Sequence, residues 1–441
     1  MIDRDAAWVA RAAGGMLAAG DAERPGPRRA VIDSRVAGPG DLFVGLPGAT
    51  VDGGDYARAA IEQGAWGALV EESRGTQLAS GAGSAVVIGT ANPLAALGSL
   101  AREWRLELGC PAVGVTGSTG KTTTKDILTA LLRPYKRVHS NRENLNTEIG
   151  LPLSLLQAER GTEVLVLEMA MRGEGQIAEL VAIAEPQVGV IVNVGPVHLE
   201  LLGTIERVAA AKAELIRDLP NGGASVVPAG EPLLEPHLRG ELETITFGEG
   251  GDVSLESFED GHARIRAGGQ LIELELPFDE PHNLDNTLAA VGACLALGVT
   301  PDGAVDVQFS SMRGQVLDLG GGVTVVNDCY NANPMSMRAA LDHLAATPAT
   351  RRIAILGGMA ELGPDAERWH EELGRHARDL GIGLLITVGE LGLGFARGFD
   401  GETHSVATPE EAGALLEEIA QPGDRVLVKG SRSVGLERVL A

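Results

Sequence analysis

A run of glycine, serine and threonine residues around one lysine has the composition of a loop that binds phosphate groups. It follows the apolar stretch Ala112–Val115 and precedes a helical pattern over Lys125–Leu132. In such loops backbone N–H groups and a helix N-terminus surround phosphate oxygens, the lysine bridges the β and γ oxygens, and a threonine hydroxyl binds Mg²⁺. The strict pattern has a glycine where this chain has Val115, yet the rest of it is present. We predict a phosphate-binding loop formed by Gly117, Ser118, Thr119, Gly120, Lys121, Thr122 and Thr123.

An acidic residue ends a second apolar stretch. Val164–Leu167 has the composition of a buried parallel strand, and Glu168 follows it directly. The carboxyl ends of parallel strands meet at one edge of a sheet, where a nucleotide-bound Mg²⁺ is commonly held by a carboxylate. An acid in this position is often an ordinary strand-end residue, but the phosphate loop favours a metal role for Glu168 together with Thr122.

Two further residues allow either a chemical or a structural interpretation. His198 follows the apolar stretch Val188–Val194, at the strand end where ligands bind in doubly wound sheets, although a lone histidine is usually structural. Lys212 lies on the apolar stripe of a helical pattern over Ile205–Leu219. A bare ammonium group there is costly unless it is paired or chemically modified. From spacing alone, a lysine stem that reaches outward to water is the favoured interpretation.

The overall pattern predicts an α/β protein of three domains. We expect a smaller N-terminal α/β domain over residues 1–107, a central domain with a P-loop-type, mostly parallel sheet over 108–312, and a C-terminal Rossmann-like doubly wound sheet over 313–441. The stretch Val253–Leu276 is interpreted as a hairpin excursion. The clearest predicted strands are Ala112–Val115, Val164–Glu168, Val188–Val194, Val323–Asn327, Ile353–Leu356, Leu384–Val388 and Arg425–Val428.

Composition excludes several classes of partner. The 441 residues carry a formal net charge of −24, and only 3% of them are aromatic. An acidic surface repels nucleic-acid backbones and anionic lipid headgroups, and few aromatic rings remain for base stacking. We therefore expect no nucleic-acid partner, and we expect any anionic ligand to be held by local cations, backbone N–H groups or metal.

Cysteine content and hydropathy predict a location. Three scattered cysteines, Cys110, Cys294 and Cys329, are too few for a disulfide framework or a zinc cluster, so we predict buried free thiols. The acidic segment Met1–Asp5 lacks the apolar stretch of a signal peptide. The most apolar helical stretch, Thr287–Val299, is shorter than the ~20 residues that span a bilayer. We expect a soluble, cytoplasmic protein without stable membrane insertion.

The motifs resemble those of the Mur ligase family, the ATP-dependent amide-forming ligases of peptidoglycan synthesis, over essentially the whole chain. The phosphate loop is similar to that of the family, which accounts for the unusual glycine spacing. Asn283 and Asn286 stand in a segment that resembles the family's adenine-contacting helix start. Arg313 and Asp328 resemble its ATP-ribose and hinge residues. Met312 stands where the family usually has glycine, and Arg313 retains the cation.

Within the family, several segments are most similar to the member that adds D-alanyl-D-alanine. They are Asn144–Asn146, Asp328–Pro334, Met359–Gly363 and Lys429–Arg432, and Asp33–Arg35 is similar to the uridine-nucleotide domain. The resemblance implies that ATP, UDP-N-acetylmuramoyl-tripeptide and D-Ala-D-Ala are the substrates of a monomeric enzyme. The implied substrate-binding residues are Ser34, Arg35, Asn144, Asn146, Tyr330 and Asn331.

The resemblance also implies a mechanism. ATP phosphorylates the terminal carboxylate of the tripeptide, and the amine of the dipeptide displaces phosphate from the acyl phosphate. Lys121 stabilises the transferring phosphoryl group, and Thr122 and Glu168 hold one Mg²⁺. A second Mg²⁺ is held by His198 and a carbamylated Lys212. Carbamylation makes the lysine an anion that can bind a metal ion. The family pattern therefore favours a metal-binding Lys212 over the outward-reaching stem that spacing alone favours.

Other activities remain as alternatives. A sister ligase that adds a diamino acid is expected to carry an Asp-Asn-Pro-Arg motif, which this sequence lacks, and a folylpolyglutamate synthetase-like ligase shares the fold. A nucleotide switch is disfavoured because the guanine-specific Asn-Lys-x-Asp motif is absent. An inactive binding protein is disfavoured because Lys121, Glu168, His198 and Lys212 are all retained.

Overall fold

The computed structural model describes residues 1, 3–142 and 144–440, and its strands form three sheets. The N-terminal sheet has the order β1-β5-β4-β3-β2, in which β1 is antiparallel to β5 and the other neighbours are parallel. Its strands β3 and β5 are buried along their whole length, as expected where helices cover both faces. The elements of this unit are α1 (Ala6–Ala12), β1 (Met16–Ala19), β2 (Arg29–Val31), β3 (Asp41–Val44), α2 (Ala57–Glu62), β4 (Gly67–Glu71), α3 (Glu72–Ala79), β5 (Val86–Thr90) and α4 (Pro93–Leu108).

The central sheet has ten strands in the order β15-β14-β13-β12-β11-β10-β9-β6-β8-β7. Only the pairs β12–β13 and β13–β14 are antiparallel, so the carboxyl ends of β6, β8 and β9 share one edge. The elements are β6 (Ala112–Thr116), α5 (Lys121–Leu132), β7 (Val138–Ser140), α6 (Gly150–Leu155), β8 (Val164–Glu168), α7 (Gln176–Ala184), β9 (Val188–Ile191), α8 (Leu199–Leu202), α9 (Ile205–Arg217), β10 (Ala224–Pro228), β11 (Glu243–Phe247), β12 (Val253–Glu259), β13 (His262–Ala267), β14 (Gln270–Glu275), α10 (Pro281–Ala296) and β15 (Gly303–Ala304).

The C-terminal sheet has the order β16-β17-β21-β18-β19-β20, and all of its strands except the edge strand β16 are parallel. Alternation of strands and helices produces the predicted doubly wound arrangement. The elements are β16 (Gln315–Asp318), β17 (Thr324–Asn327), α11 (Pro334–Ala346), β18 (Arg351–Gly357), α12 (Ala366–Asp379), β19 (Leu384–Val388), α13 (Gly389–Phe399), β20 (Thr403–Val406), α14 (Pro409–Ile419) and β21 (Asp424–Lys429).

Two sequence predictions about the central sheet need correction. The stretch 253–276 was predicted as a hairpin, but it forms three antiparallel strands, because Gly268 and Gly269 adopt positive φ angles and make a second tight turn. The strand predicted over 188–194 ends at Ile191, and the polar residue Asn193 lies beyond it. The predicted α/β class with three sheets is confirmed, whereas the domain boundaries near residues 107 and 312 stay predictions.

Packing joins the first two sheets more closely than the third. One apolar core runs from α4 into the helices of the central sheet, where Trp104 donates its indole N–H to the carbonyl of Ala158 across 2.9 Å. The C-terminal sheet has its own core on each face. An interface that lacks a continuous apolar core permits relative movement of domains. Among the described residues, no helix has both the length and the apolar character that crossing a bilayer requires.

Candidate active site

The phosphate loop connects β6 to α5, as the sequence predicts. Gly120 adopts a φ of 73°, a conformation that favours glycine, and α5 begins at Lys121. The Lys121 ammonium donates to the carbonyl oxygen of Gly117 across 2.8 Å. Burial lowers the pKa of Lys121, the nearby Glu168 raises it, and the nearby Arg313 lowers it. The lysine therefore lies between the loop, an acid of the central sheet and a cation of the hinge.

Asn193 fixes the shape of this loop, although the sequence reasoning assigned it only to a strand. Its side-chain oxygen accepts hydrogen bonds from the backbone N–H groups of Ser118 and Thr119, at 3.1 and 2.9 Å. Its amide nitrogen donates to the Thr119 hydroxyl across 3.0 Å. A polar side chain directly after an apolar strand, at the edge where ligands bind, is the signal that identifies such a residue.

Glu168 is buried at the end of β8, and both of its carboxylate oxygens accept hydrogen bonds. Oε2 accepts from the Thr122 hydroxyl across 2.6 Å, and Oε1 accepts from the Asn146 amide across 2.8 Å. Asn141, a second residue that sequence reasoning missed, bonds both the backbone N–H and the backbone carbonyl of Glu168. The structure thus brings together the predicted Thr122, Glu168 and Asn146.

The oxygen atoms of Thr122 and Glu168 are suitable ligands for Mg²⁺, which favours hard oxygen donors. No group of three or more His, Cys, Asp or Glu side chains that could hold a metal lies within residues 1, 3–142 and 144–440. A small protein donor set fits Mg²⁺, because this ion usually retains waters and binds substrate phosphates in addition to one or two carboxylates.

Lys212 lies on α9 with only 2% of its surface exposed. Within the described part of the chain it makes no hydrogen bond or ion pair, and burial, followed by the charge of Lys121, lowers its pKa well below the usual value. The lysine is therefore buried rather than extended along the protein surface, contrary to the outward-reaching interpretation. A neutral buried amine is the form that reacts with CO₂ to give a carbamate.

His198 precedes α8 with a φ of 53° and lies among charged groups. Its Nδ1 atom bonds to a carboxylate oxygen of Glu361, from the C-terminal domain. Burial lowers the pKa of His198, the Glu361 contact raises it, and the charges of Lys212 and Lys121 lower it further. His198 is therefore close enough to Lys212 and Lys121 to be influenced by their charges.

The hinge residues do not bond to each other. The Arg313 guanidinium stacks over the Tyr330 ring at 4.1 Å from the ring centroid. Asp328 instead forms an ion pair with Lys429, a buried residue that also donates to the Asn331 carbonyl across 3.2 Å. Lys429 thus orders the segment that follows β17.

The predicted adenine-contacting residues lie in the first turns of α10, which packs against α5. The Asn286 amide donates to the side-chain oxygen of Asn283 across 3.3 Å, and Asn286 accepts a hydrogen bond from Thr124 across 3.3 Å. The Asn283 amide nitrogen in turn donates to a carboxylate oxygen of Glu280 across 3.1 Å. The pair therefore connects α10 to the helix of the phosphate loop.

One cavity of about 2380 Å³ between the central and C-terminal domains brings most of the predicted residues together. Lys212 and Gly117 are not among the lining residues within the described chain. The predicted residues that line it are Ser118, Thr119, Gly120, Lys121, Thr122, Thr123, Asn144, Asn146, Glu168, His198, Asn283, Asn286, Arg313, Asp328, Tyr330 and Asn331.

Ser34 and Arg35 lie elsewhere, in a short turn of the N-terminal domain. Arg35 is exposed and bonds to Asp33, and that hydrogen bond lowers the pKa of Asp33 to about 2. A separate open cavity of about 490 Å³, between this domain and the central domain, is lined by Arg28, Arg29 and Gln157, among others. The turn that carries Ser34 and Arg35 is therefore separate from the interdomain cavity.

Three family descriptions match successive parts of the chain. "Mur ligase family, catalytic domain" matches residues 30–105, "Mur ligase middle domain" matches 115–294, and "Mur ligase, glutamate ligase domain" matches 312–432. The chain belongs to the Mur ligase family. Most residues that line the interdomain cavity belong to the ranges matched by the middle domain and the glutamate ligase domain.

Similar proteins from the Mur ligase family include two with the same printed name, UDP-N-acetylmuramoyl-tripeptide–D-alanyl-D-alanine ligase. The protein from Synechocystis sp. is 36% identical over 93% of this chain and 90% of its own length. The protein from Bacillus subtilis is 33% identical over 100% of this chain and 98% of its own length.

Two solved structures of Mur ligases are also similar to this chain. MurF from Acinetobacter baumannii matches with a TM-score of 0.86 and 27% identity, over 99% of this chain and 98% of its own. MurF from Thermotoga maritima, in complex with ADP, matches with a TM-score of 0.80 and 33% identity, over 94% and 96%. The three-domain fold of this chain is therefore that of the Mur ligases.

Proposed function

We propose that this chain is an ATP-dependent ligase that joins D-alanyl-D-alanine to the terminal carboxylate of UDP-N-acetylmuramoyl-tripeptide, in the cytoplasmic synthesis of peptidoglycan precursors. One contact carries the proposal. Asn333, within the Asp328–Pro334 motif, donates its amide hydrogen to the Ser118 carbonyl of the phosphate loop across 3.3 Å. The segment most typical of the dipeptide-adding member thus adjoins the loop that binds phosphate.

The chemistry is the formation of an acyl phosphate from ATP and the tripeptide carboxylate, followed by attack of the dipeptide amine. Two anionic groups must approach each other, so catalysis depends on charge neutralisation and positioning. Lys121 neutralises the transferring phosphoryl group, and the backbone N–H groups of the phosphate loop orient it. Arg313 and Asp328 close over the nucleotide, while Asn283 and Asn286 contact the adenine.

Two Mg²⁺ sites are part of this proposal. Thr122 and Glu168 hold the first ion, and His198 with a carbamylated Lys212 holds the second. Bound Mg²⁺ neutralises charge between the carboxylate and the phosphates. Among the described residues the buried Lys212 has no hydrogen-bond or ion-pair partner, which supports the carbamate, because reaction of a neutral amine with CO₂ releases a proton and gives an anion that a metal ion would stabilise.

The substrates are assigned to residues as follows. Ser34 and Arg35, in the N-terminal domain, contact the uridine nucleotide, and Asn144, Asn146, Tyr330 and Asn331, which line the interdomain cavity, contact the substrates that react there. Asn146 bonds to Glu168, so a substrate that contacts Asn146 lies next to the proposed metal site. We propose that the enzyme acts as a monomer, with domains over 1–107, 108–312 and 313–441.

Phosphate release from ATP tests the proposed function. The enzyme is assayed with Mg²⁺ and every combination of a UDP-muramoyl peptide and an amine. We expect release only when ATP, the UDP-tripeptide and D-Ala-D-Ala are present together. Faster release with the UDP-dipeptide and a free diamino acid would assign the chain to the sister ligase instead.

A further inference from the structure

The segment Met359–Gly363 brings a carboxylate of the C-terminal domain to the proposed second metal site. It follows β18, and Glu361 within it lines the interdomain cavity beside His198. Both residues of this contact adopt positive φ angles, 62° for Glu361 and 53° for His198. Non-glycine residues rarely occupy this region, and such conformations concentrate at functional sites.

The contacts of Glu361 use both of its carboxylate oxygens. Oε2 bonds to Nδ1 of His198, and Oε1 lies 3.5 Å from Nε of Arg172, which belongs to the loop after β8. The backbone supports the same arrangement, because the N–H of Glu200 donates to the Glu361 carbonyl across 3.4 Å. Side chain and backbone together hold this loop against the segment that carries His198.

The imidazole contact has a definite chemical consequence. When Nδ1–H donates to a carboxylate, the neutral ring keeps its lone pair on Nε2, which is the atom then free to bind a cation. No residue within the described chain bonds to Nε2 of His198, and His198 lines the cavity. The contact therefore selects the tautomer and the orientation of the ring that a metal ligand needs.

We propose that Glu361 is a positioning residue that orients His198 for the second metal ion when the C-terminal domain docks on the central domain. This inference rests on the proposed function, since it concerns the metal site of that reaction. Because Glu361 belongs to the C-terminal domain, the imidazole acquires its partner only in the docked arrangement. Domain docking and metal binding are thereby coupled through one hydrogen bond.

Three variants separate this role from a simple interdomain ion pair. Glu361→Ala removes the acceptor, whereas Glu361→Gln keeps an oxygen that accepts from Nδ1–H. Glu367→Ala is the matched control, because Glu367 is an exposed glutamate of the same domain that bonds to Arg397 outside the cavity. Thermal unfolding of each variant checks that it is folded.

The first measurement is the ¹⁵N NMR spectrum of the imidazole nitrogens in the protein without substrates or metal. We expect His198 to carry its proton on Nδ1 in the wild type, the Glu361→Gln variant and the Glu367→Ala variant, and to lose this preference in Glu361→Ala. A wild-type His198 protonated mainly on Nε2 would overturn the proposal, and it would do so whether or not the protein is a ligase.

The second measurement is Mn²⁺ binding, followed by EPR, in the presence of a non-hydrolysable ATP analogue. Loss of a carboxylate behind a metal-binding histidine typically weakens binding by 10- to 100-fold, so Glu361→Ala should weaken one Mn²⁺ site by about that factor. His198→Ala should weaken the same site, and Glu361→Ala should add nothing further in that background. Unchanged Mn²⁺ binding in Glu361→Ala, or additive losses in the double variant, would overturn the proposal. Failure of the proposed function itself would instead be seen as absent phosphate release by the wild type.

Discussion

The hydroxyl of Thr122 donates to Oε2 of Glu168 across 2.6 Å and so joins the first turn of α5 to the end of β8. The two oxygen atoms that we propose as ligands for one cation are thereby held on separate elements of the same sheet edge. Asn146 and Asn141 restrain Glu168 from the other side. These hydrogen bonds preorganise the carboxylate, which lowers the ordering cost of binding a metal ion there.

Glu168→Gln should reduce the rate of ligation by about 10²-fold, because the neutral amide removes the charge that the proposed ion binds and places an NH₂ donor opposite one of the two donors, Thr122 or Asn146. The Mg²⁺ concentration needed for half-maximal activity should also rise. Glu163→Gln is the control, since this exposed acid lies at the start of the same strand and bonds to Arg137. A Glu168→Gln enzyme with the Mg²⁺ dependence of the wild type would contradict the metal role.

Arg313→Ala should raise the KM for ATP by about tenfold while the melting temperature stays near that of the wild type, since a charged hydrogen bond contributes about 1.5–3 kcal/mol. Arg368→Ala serves as the control, because Arg368 also stacks on an aromatic ring, Trp369 at 5.2 Å, on the outer surface. Initial-rate kinetics at varied ATP make the comparison. Equal KM values for both variants would argue against a nucleotide contact by Arg313.

Gly195→Ala should hinder docking of the C-terminal domain. A Cβ atom at this position would lie 1.8 Å from the sulfur of Met335, which is in the first turn of α11. The methionine side chain must therefore move away. Because the obstructing atom is at the flexible end of a methionine side chain, we expect only a modest fall in kcat, with little change in the free energy of unfolding of the central domain. Adding Met335→Ala should restore kcat, because it removes the obstructing atoms. A double variant no faster than Gly195→Ala would show that the clash is not the cause.

The three cysteines should resist modification in the folded protein. Cys110, Cys294 and Cys329 are buried and free, as predicted, and burial raises the pKa of the Cys329 thiol to about 11. At pH 8 the reactive thiolate is therefore scarce, and its fraction rises tenfold for each pH unit up to that pKa. A colorimetric thiol reagent should detect almost no thiol at pH 8 until denaturant is added. Rapid titration of any thiol in the native protein would contradict this expectation.

Lys212→Ala should abolish ligation and leave the protein folded, because the lost group serves the metal site that we propose. Acetate or formate should restore part of the activity by supplying a carboxylate in the vacated position. The same acids should not restore Lys121→Ala, whose lost group is a cation. Lys212→Ala with nearly wild-type activity in the absence of added acid would eliminate the carbamate.

Much of the fold follows from local patterns. Buried parallel strands read as continuous apolar stretches, so β6, β8 and β19 were located within one or two residues. The phosphate loop was equally clear, because its residues are consecutive. The hairpin predicted over 253–276 has two strands, whereas the structure has a third, β14. Its alternation of buried and exposed residues resembles that of β13, so the sequence pattern alone does not separate the two strands.

The parts of the site that sequence could not provide depend on distant segments. Glu361 and His198 are far apart in the chain, and only the docking of two domains makes them neighbours. Asn193 was hidden within an apparently longer strand, and Lys429 became the partner of Asp328 through the pairing of β17 with β21. Local patterns identify the residue types at such positions, whereas tertiary packing decides which of them meet.

The most direct test of the account follows oxygen atoms through the reaction. The UDP-tripeptide is prepared with ¹⁸O in its terminal carboxylate and incubated with the enzyme, ATP, Mg²⁺ and D-Ala-D-Ala, and the released phosphate is analysed by mass spectrometry. An acyl phosphate transfers one carboxylate oxygen to phosphate when the amine displaces it, so the account predicts one ¹⁸O atom in each labelled phosphate. Unlabelled phosphate, or release that does not require D-Ala-D-Ala, would contradict the account.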